Sequence, residues 1–138
     1  MLVERIEAAD GEAEVVVTDG QYRCLAYCHP CALSAGDPIP GRLHVLERGT
    51  ICVSTQTACS ITRQSRLGHF DQWFVARVAD RIRGIVSVGK LYLDGLRLPG
   101  DIKNGELVEF AATRVDIFGA QQSVQPDRRE DARRLTQR

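Results

Sequence analysis

The stretch EVVVTDGQYRCLAYCH, Glu14 to His29, decides the fold class. Val15, Val16 and Val17 are β-branched, and Asp19-Gly20 is a dipeptide that turns a chain back on itself. Gln21–His29 then resumes an extended pattern. With Asp19-Gly20 as a two-residue loop, Val17 lies opposite Tyr22 and Val15 opposite Cys24. That face continues through Ala26 and Cys28, small and apolar enough for a core. The other face carries Val16, Arg23, Leu25, Tyr27 and His29, a mixture suited to a curved barrel wall or a binding surface. Upstream, Asp10-Gly11 repeats the turn signal, so Leu2–Ala8 joins as the first strand of a three-stranded antiparallel meander.

Downstream, Pro30 stops the strand, because it has no N–H for a ladder. Ala35-Gly36-Asp37-Pro38 is a loop, and Arg42–Glu47 and Thr50–Ser54 read as short strands around an Arg48-Gly49 turn. Ala58–Gly68 reads as a loop or a short helix. From Gln72 the β pattern returns, with Trp73, Val75, Arg77 and Ala79 alternating with Phe74, Ala76, Val78 and Asp80. A turn at Arg81–Gly84 leads to a strand over Ile85–Leu93, and Asp94-Gly95 and Pro99-Gly100-Asp101 bend the chain again. Asn104-Gly105 is one more hairpin dipeptide before a long last strand, Leu107–Phe118.

About eight short strands and no strong amphipathic helix argue for an all-β protein. The expected fold is a small closed or nearly closed antiparallel β-barrel, OB-like, with an SH3-like barrel as the nearest alternative. It forms one domain over residues 1–118. Residues 119–138 are expected to be a disordered or weakly helical polar tail.

Composition narrows the function classes. Of 138 residues, 43% are hydrophobic and 26% charged, a globular balance that excludes wholesale disorder and a collagen-like chain. Eighteen basic and 18 acidic residues cancel, which disfavours a polybasic nucleic-acid binder. No apolar run reaches the roughly 20 residues of a membrane span, and Met1-Leu2-Val3-Glu4-Arg5 lacks a signal peptide's apolar core. A soluble, cytoplasmic protein is expected. The charge is uneven, however. Residues 1–20 hold six carboxylates and one arginine, whereas residues 42–97 hold nine basic groups and four acids. Either these regions neutralise each other across the fold or the basic one is a face for an anionic ligand.

Five cysteines, an odd number, point to reduced thiols. Cys24 and Cys28 on one extended strand sit about 13 Å apart, whereas two thiolates on one zinc are at most about 4.6 Å apart. Cys28-His29-Pro30-Cys31 has metal and redox spacing, so a thiol or zinc protein using Cys28 and Cys31 is the alternative reading. It lacks a second paired cluster, and Ala32-Leu33-Ser34 runs straight into a loop where a thioredoxin-like motif needs a helix. His29, His44 and His69 are scattered, with no nucleophile elbow or phosphate-cradling loop. No enzyme, no cofactor and no metal are expected.

The expected role is non-catalytic binding, of a protein partner or of single-stranded nucleic acid, with no membrane partner. The candidate site runs from Arg63 to Arg83 and comprises Arg63, Arg66, Phe70, Trp73, Arg77, Arg81 and Arg83. Arginines meet phosphates and aromatic rings stack on bases, which is how OB-folds hold single strands. The competing reading makes Trp73 and Phe74 part of the core and the arginines a solvated rim.

Overall fold

The chain turns at Asp19-Gly20, but through four residues and not two. In the structure, a computed structural model, β2 (Ala13–Thr18) pairs with β3 (Arg23–Cys28), Thr18 opposite Arg23 and Val17 opposite Cys24. Residues 1–8, 13–29, 31–63 and 71–117 are described. Asp10-Gly11, Pro30, Arg66, His69, Phe70 and the 119–138 tail lie outside them. The register is two residues from the expected one because side chains close the loop. Thr18 Oγ1 donates to Tyr22 O at 2.8 Å and accepts from Gly20 N at 2.9 Å. Asp19 Oδ1 accepts from Gln21 N and Tyr22 N. A shift of two preserves the faces, so Val15, Val17, Cys24, Ala26 and Cys28 still enter the core.

β1 (Leu2–Ala8) completes the antiparallel meander. Its outer edge is covered by the loop after β3, through Val3 N to Asp37 O, Gly36 N to Val3 O and Ile39 N to Met1 O. Covering an edge removes a template for unwanted pairing.

The remaining strands build the barrel. They are β4 (Leu43–Arg48), β5 (Cys52–Val53), β6 (Ser60–Arg63), β7 (Gln72–Asp80), β8 (Ile85–Val88), β9 (Leu91–Asp94) and β10 (Leu107–Asp116). β7, β8 and β9 form a meander, β9 runs parallel to β4, β4 pairs with β10, and β10 returns to β7. These five strands close a ring. The ring is therefore mixed and not purely antiparallel, with a parallel junction at β4–β9, and a second parallel pairing, β3–β10, joins the meander to it.

Three local expectations change. Arg48-Gly49 is not a hairpin, since β4 and β5 both run along β10, with Gly49 N bonded to Ala111 O between them. Ser60–Arg63 is strand β6, antiparallel to β7, and not a helix. The expected Ile85–Leu93 strand is two strands broken at Gly89-Lys90. Gly89 takes φ +63°, and a Cβ there would stand 2.6 Å from Asp19 Oδ2 and 2.7 Å from the Tyr22 ring. The β8–β9 turn is thereby pressed onto the β2–β3 loop, where Lys90 N donates to Asp19 Oδ2 at 2.7 Å.

Alternation along β7 sends Phe74, Ala76 and Val78 inward and leaves Trp73 and Arg77 on the outer face. Phe74 stacks on Phe110 of β10, centroids 5.1 Å apart. Aliphatic side chains of the meander and the ring fill the same core, so the two parts form one hydrophobic unit.

β10 holds them together. Its Leu107–Ala112 half pairs with β7, and beyond β7's start the same strand meets β3 at Asp116 and Tyr27. One buried side chain bridges the gap. Gln72 Oε1 accepts from Leu25 N at 2.8 Å, and its Nε2 donates to Leu25 O at 2.9 Å. The amide thus pairs with β3 as a peptide group would, satisfying two buried backbone groups.

Candidate functional site

The seven candidate residues do not form one site. Trp73 and Arg81 are eight residues apart along and just beyond β7, roughly 26 Å in an extended strand. Arg66 and Phe70 lie outside the described residues. The others fall into three places.

Arg63 ends β6 and turns to the meander, where it meets Glu7 at 3.3 Å. Glu7 also pairs with Arg5, Arg5 with Glu4, and Glu4 with Arg23 at 2.7 Å. An alternating chain of three arginines and two glutamates thus joins β3, β1 and β6. Burial opposes the charge on Glu7, but the bonds from Arg63 and Arg5 outweigh it and hold the carboxyl below its ordinary value. Through Glu7 and Arg63 the acidic N-terminal region meets one base of the middle.

Trp73 and Arg77 occupy the outer face of β7. Trp73 is half-buried between Thr62 and Ala111 on the neighbouring strands, and Arg77 donates to Gly105 O at 2.8 Å. Trp73 is thus neither a core residue nor close to the turn arginines.

Arg81 and Arg83 lie in the β7–β8 turn, beside a third arginine, Arg97. Together they line an open groove of about 460 Å³ with Ile82, Leu96 and Leu98. The turn is stiff. Arg81 N donates to Asn104 Oδ1, Arg83 N to Asp80 Oδ1 and Gly84 N to Arg81 O. Gly84 takes φ +68°, and a Cβ there would lie 2.0 Å from Leu96 O, so the turn is packed directly on the Gly95–Leu98 loop. That contact puts Arg97 in the same groove as Arg81 and Arg83.

Among the described residues, the side chains of Arg81, Arg83 and Arg97 have no hydrogen-bond or ion-pair partner. Between the first two, Ile82 is 83% exposed, far more than any other large hydrophobic side chain described. An apolar knob ringed by unpaired guanidiniums is held in place by backbone bonds.

No protein family, curated protein or solved structure matches the chain. Its own geometry has to carry the reading.

Arg97 has a faint sequence signal, since Leu96-Arg97-Leu98 alternates and both leucines are buried. Its nearness to Arg83 has none, because the loop contact is tertiary.

The cysteines occupy separate settings. Cys28 is fully buried at the end of β3, Cys31 packs against the core, and Cys52 is exposed on β5. Burial pushes the Cys24 thiol up to about 12, against the pull of the Gln72 amide, so it stays protonated. No three His, Cys, Asp or Glu side chains among the described residues gather as metal ligands, and residues 32–41 form no helix behind Cys31. No described helix is long and apolar enough to cross a membrane.

Proposed function

We propose that this protein is a non-catalytic binding module whose arginine groove docks an acidic protein surface. The carrying observation is Ile82, exposed between Arg81 and Arg83 with Arg97 alongside. A protein partner uses both features, an apolar socket for the isoleucine and carboxylates for the guanidiniums. Arginine is among the residues enriched at the energetic centres of protein interfaces. Single-stranded nucleic acid would use the arginines, but its stacking platform, Trp73, stands at the far end of β7. The closed five-stranded ring supports the OB-like description of the scaffold. A cytoplasmic setting goes with the odd cysteine count.

The test is an NMR titration of the full chain at low salt with two probes, an acidic Glu-Leu peptide and a single-stranded oligothymidylate. The peptide is expected to shift the amides of Arg81 to Gly84 and of Arg97. Arg83→Ala should weaken it about tenfold, the effect of losing roughly 1.4 kcal/mol. Ile82→Ser should weaken the peptide and leave any oligonucleotide contact unchanged. Tighter oligonucleotide binding at this groove, with no response to Ile82→Ser, would overturn the reading in favour of nucleic acid.

A further inference from the structure

The seam between the meander and the ring is open on the side away from β10. β3 and β6 face each other there without any backbone pairing among the described residues; the Gln72 amide at the start of β7 bonds to β3, and the ion-pair chain through β1 spans the rest. A cleft of about 320 Å³ remains in this gap. That is close to the lower end of the range of about 300–1,000 Å³ that small-molecule sites occupy.

Part of the cleft's lining is apolar. Val16 and Leu25 are 3% and 2% exposed, yet they lie on the face of the meander turned away from the main core. Ile61 of β6, partly exposed and packed against the main core, lines the cleft with them. The rim is cationic, formed by Arg5, Arg23 and Arg63, the members of the alternating chain with Glu4 and Glu7. Three guanidiniums against two carboxylates leave one positive charge over. Each guanidinium also has five donors, of which the chain uses a fraction, and Arg23 is 63% exposed at its side chain. The glutamates hold the arginines at the rim before any ligand arrives.

We infer that this seam binds a small monoanion with an apolar body, of which a carboxylate on a short hydrocarbon chain is the simplest form. The hydrocarbon would lie against the exposed part of Ile61, with the almost fully buried Val16 and Leu25 at its edge, and the carboxylate would take the free donors of the arginine rim. One negative charge completes the neutralisation of the chain, whereas a polyanion would meet the two glutamates. This site is separate from the arginine groove and does not depend on the function proposed for it.

Hexanoate is a suitable probe, with hexan-1-ol as the uncharged control at equal concentration. In methyl and amide NMR spectra of the full chain, hexanoate is expected to give saturable shifts at Val16, Leu25, Ile61 and the Gln72 side-chain amide. Hexan-1-ol should give markedly weaker ones. Arg23→Ala should weaken hexanoate at least threefold, and Arg97→Ala, in the other groove, should leave it unchanged. The inference fails if no saturable shift appears at the seam or if hexan-1-ol binds as well. It fails equally if Arg23→Ala and Arg5→Ala both leave hexanoate affinity unaltered.

Discussion

Arg63 and Arg83 stand near opposite ends of β7, and their neighbours make them different groups. Arg63 is the last link of an ion-pair chain that ties β6 to the N-terminal meander. Arg83 belongs to a turn held by hydrogen bonds from Arg81 N, Arg83 N and Gly84 N, and its guanidiniums have no partner among the described residues. Glu4 and Glu7 of the acidic start sit on β1 and pair with arginines around Arg63, and no described ion pair joins an acid to Arg81, Arg83 or Arg97. Charge that cancels in the sum is therefore separated in space. An arginine given an acidic partner serves the fold, and one left without is available to a ligand.

That contrast can be broken most severely at Gly84. Adding a methyl group with Gly84→Ala combines a positive φ with a collision on a backbone carbonyl. A loss of about 3–5 kcal/mol is expected in urea denaturation. A loss below about 1 kcal/mol, the size of an ordinary substitution, would show that the turn and the Leu96 loop are not locked. The rigid presentation of Ile82 would go with it.

At the meander end, the strongest single test is Gln72→Leu. The volume is nearly kept, but the N–H and C=O of Leu25 lose their buried partner. Two unsatisfied groups should cost about 2–4 kcal/mol in the same assay. Wild-type stability would mean that the seam recruits water or re-pairs, and the amide would not be the bridge between the two parts.

Asp19 sharpens the comparison through pH. Burial works against its charge, but the N–H groups of Tyr22, Lys90 and Gln21 outweigh that and set the folded pKa below the ordinary value. A lowered folded pKa stabilises the protein above the unfolded value, about 3.9, and this contribution disappears as pH falls through the folded value. Asp19→Asn should therefore cost about 1–2 kcal/mol at neutral pH, mainly the Lys90 bond. The gap to wild type should narrow on acidification in denaturation curves taken at several pH values. A gap that is constant with pH would remove the charge from the explanation.

The smallest effects distinguish the two kinds of arginine. Arg63→Ala should lower stability by about 0.2–1 kcal/mol and less at high salt, as for exposed ion pairs. Arg97→Ala should leave thermal stability within about 0.5 kcal/mol of wild type. If Arg97→Ala is the more destabilising of the two, the groove arginine has a structural partner and the contrast collapses.

Much of the architecture could be read from the residues alone. β-branched runs punctuated by Asp-Gly and Asn-Gly announce an all-β chain, and period-two alternation placed Val15, Val17 and Cys24 on the core face despite a register error. Faces depend only on whether a residue's position is odd or even, so a slip of two cannot disturb them. Register itself was hidden, because Thr18 and Asp19 supply side-chain bonds that a dipeptide signal does not weigh. Composition also showed a basic middle and an acidic start. Which arginines would be neutralised was a matter of which strands became neighbours, and β6 beside β1 is a product of closure. Gln72 gave no local sign of its role, since a lone glutamine opening an apolar strand usually faces solvent. The meeting of Arg97 with Arg83 had none either, resting on a glycine pressed against a loop 12 residues further along the chain. Local order follows from side-chain chemistry within a few positions. The placing of charge and the two candidate sites arise where distant segments touch, and only the closed barrel decides that.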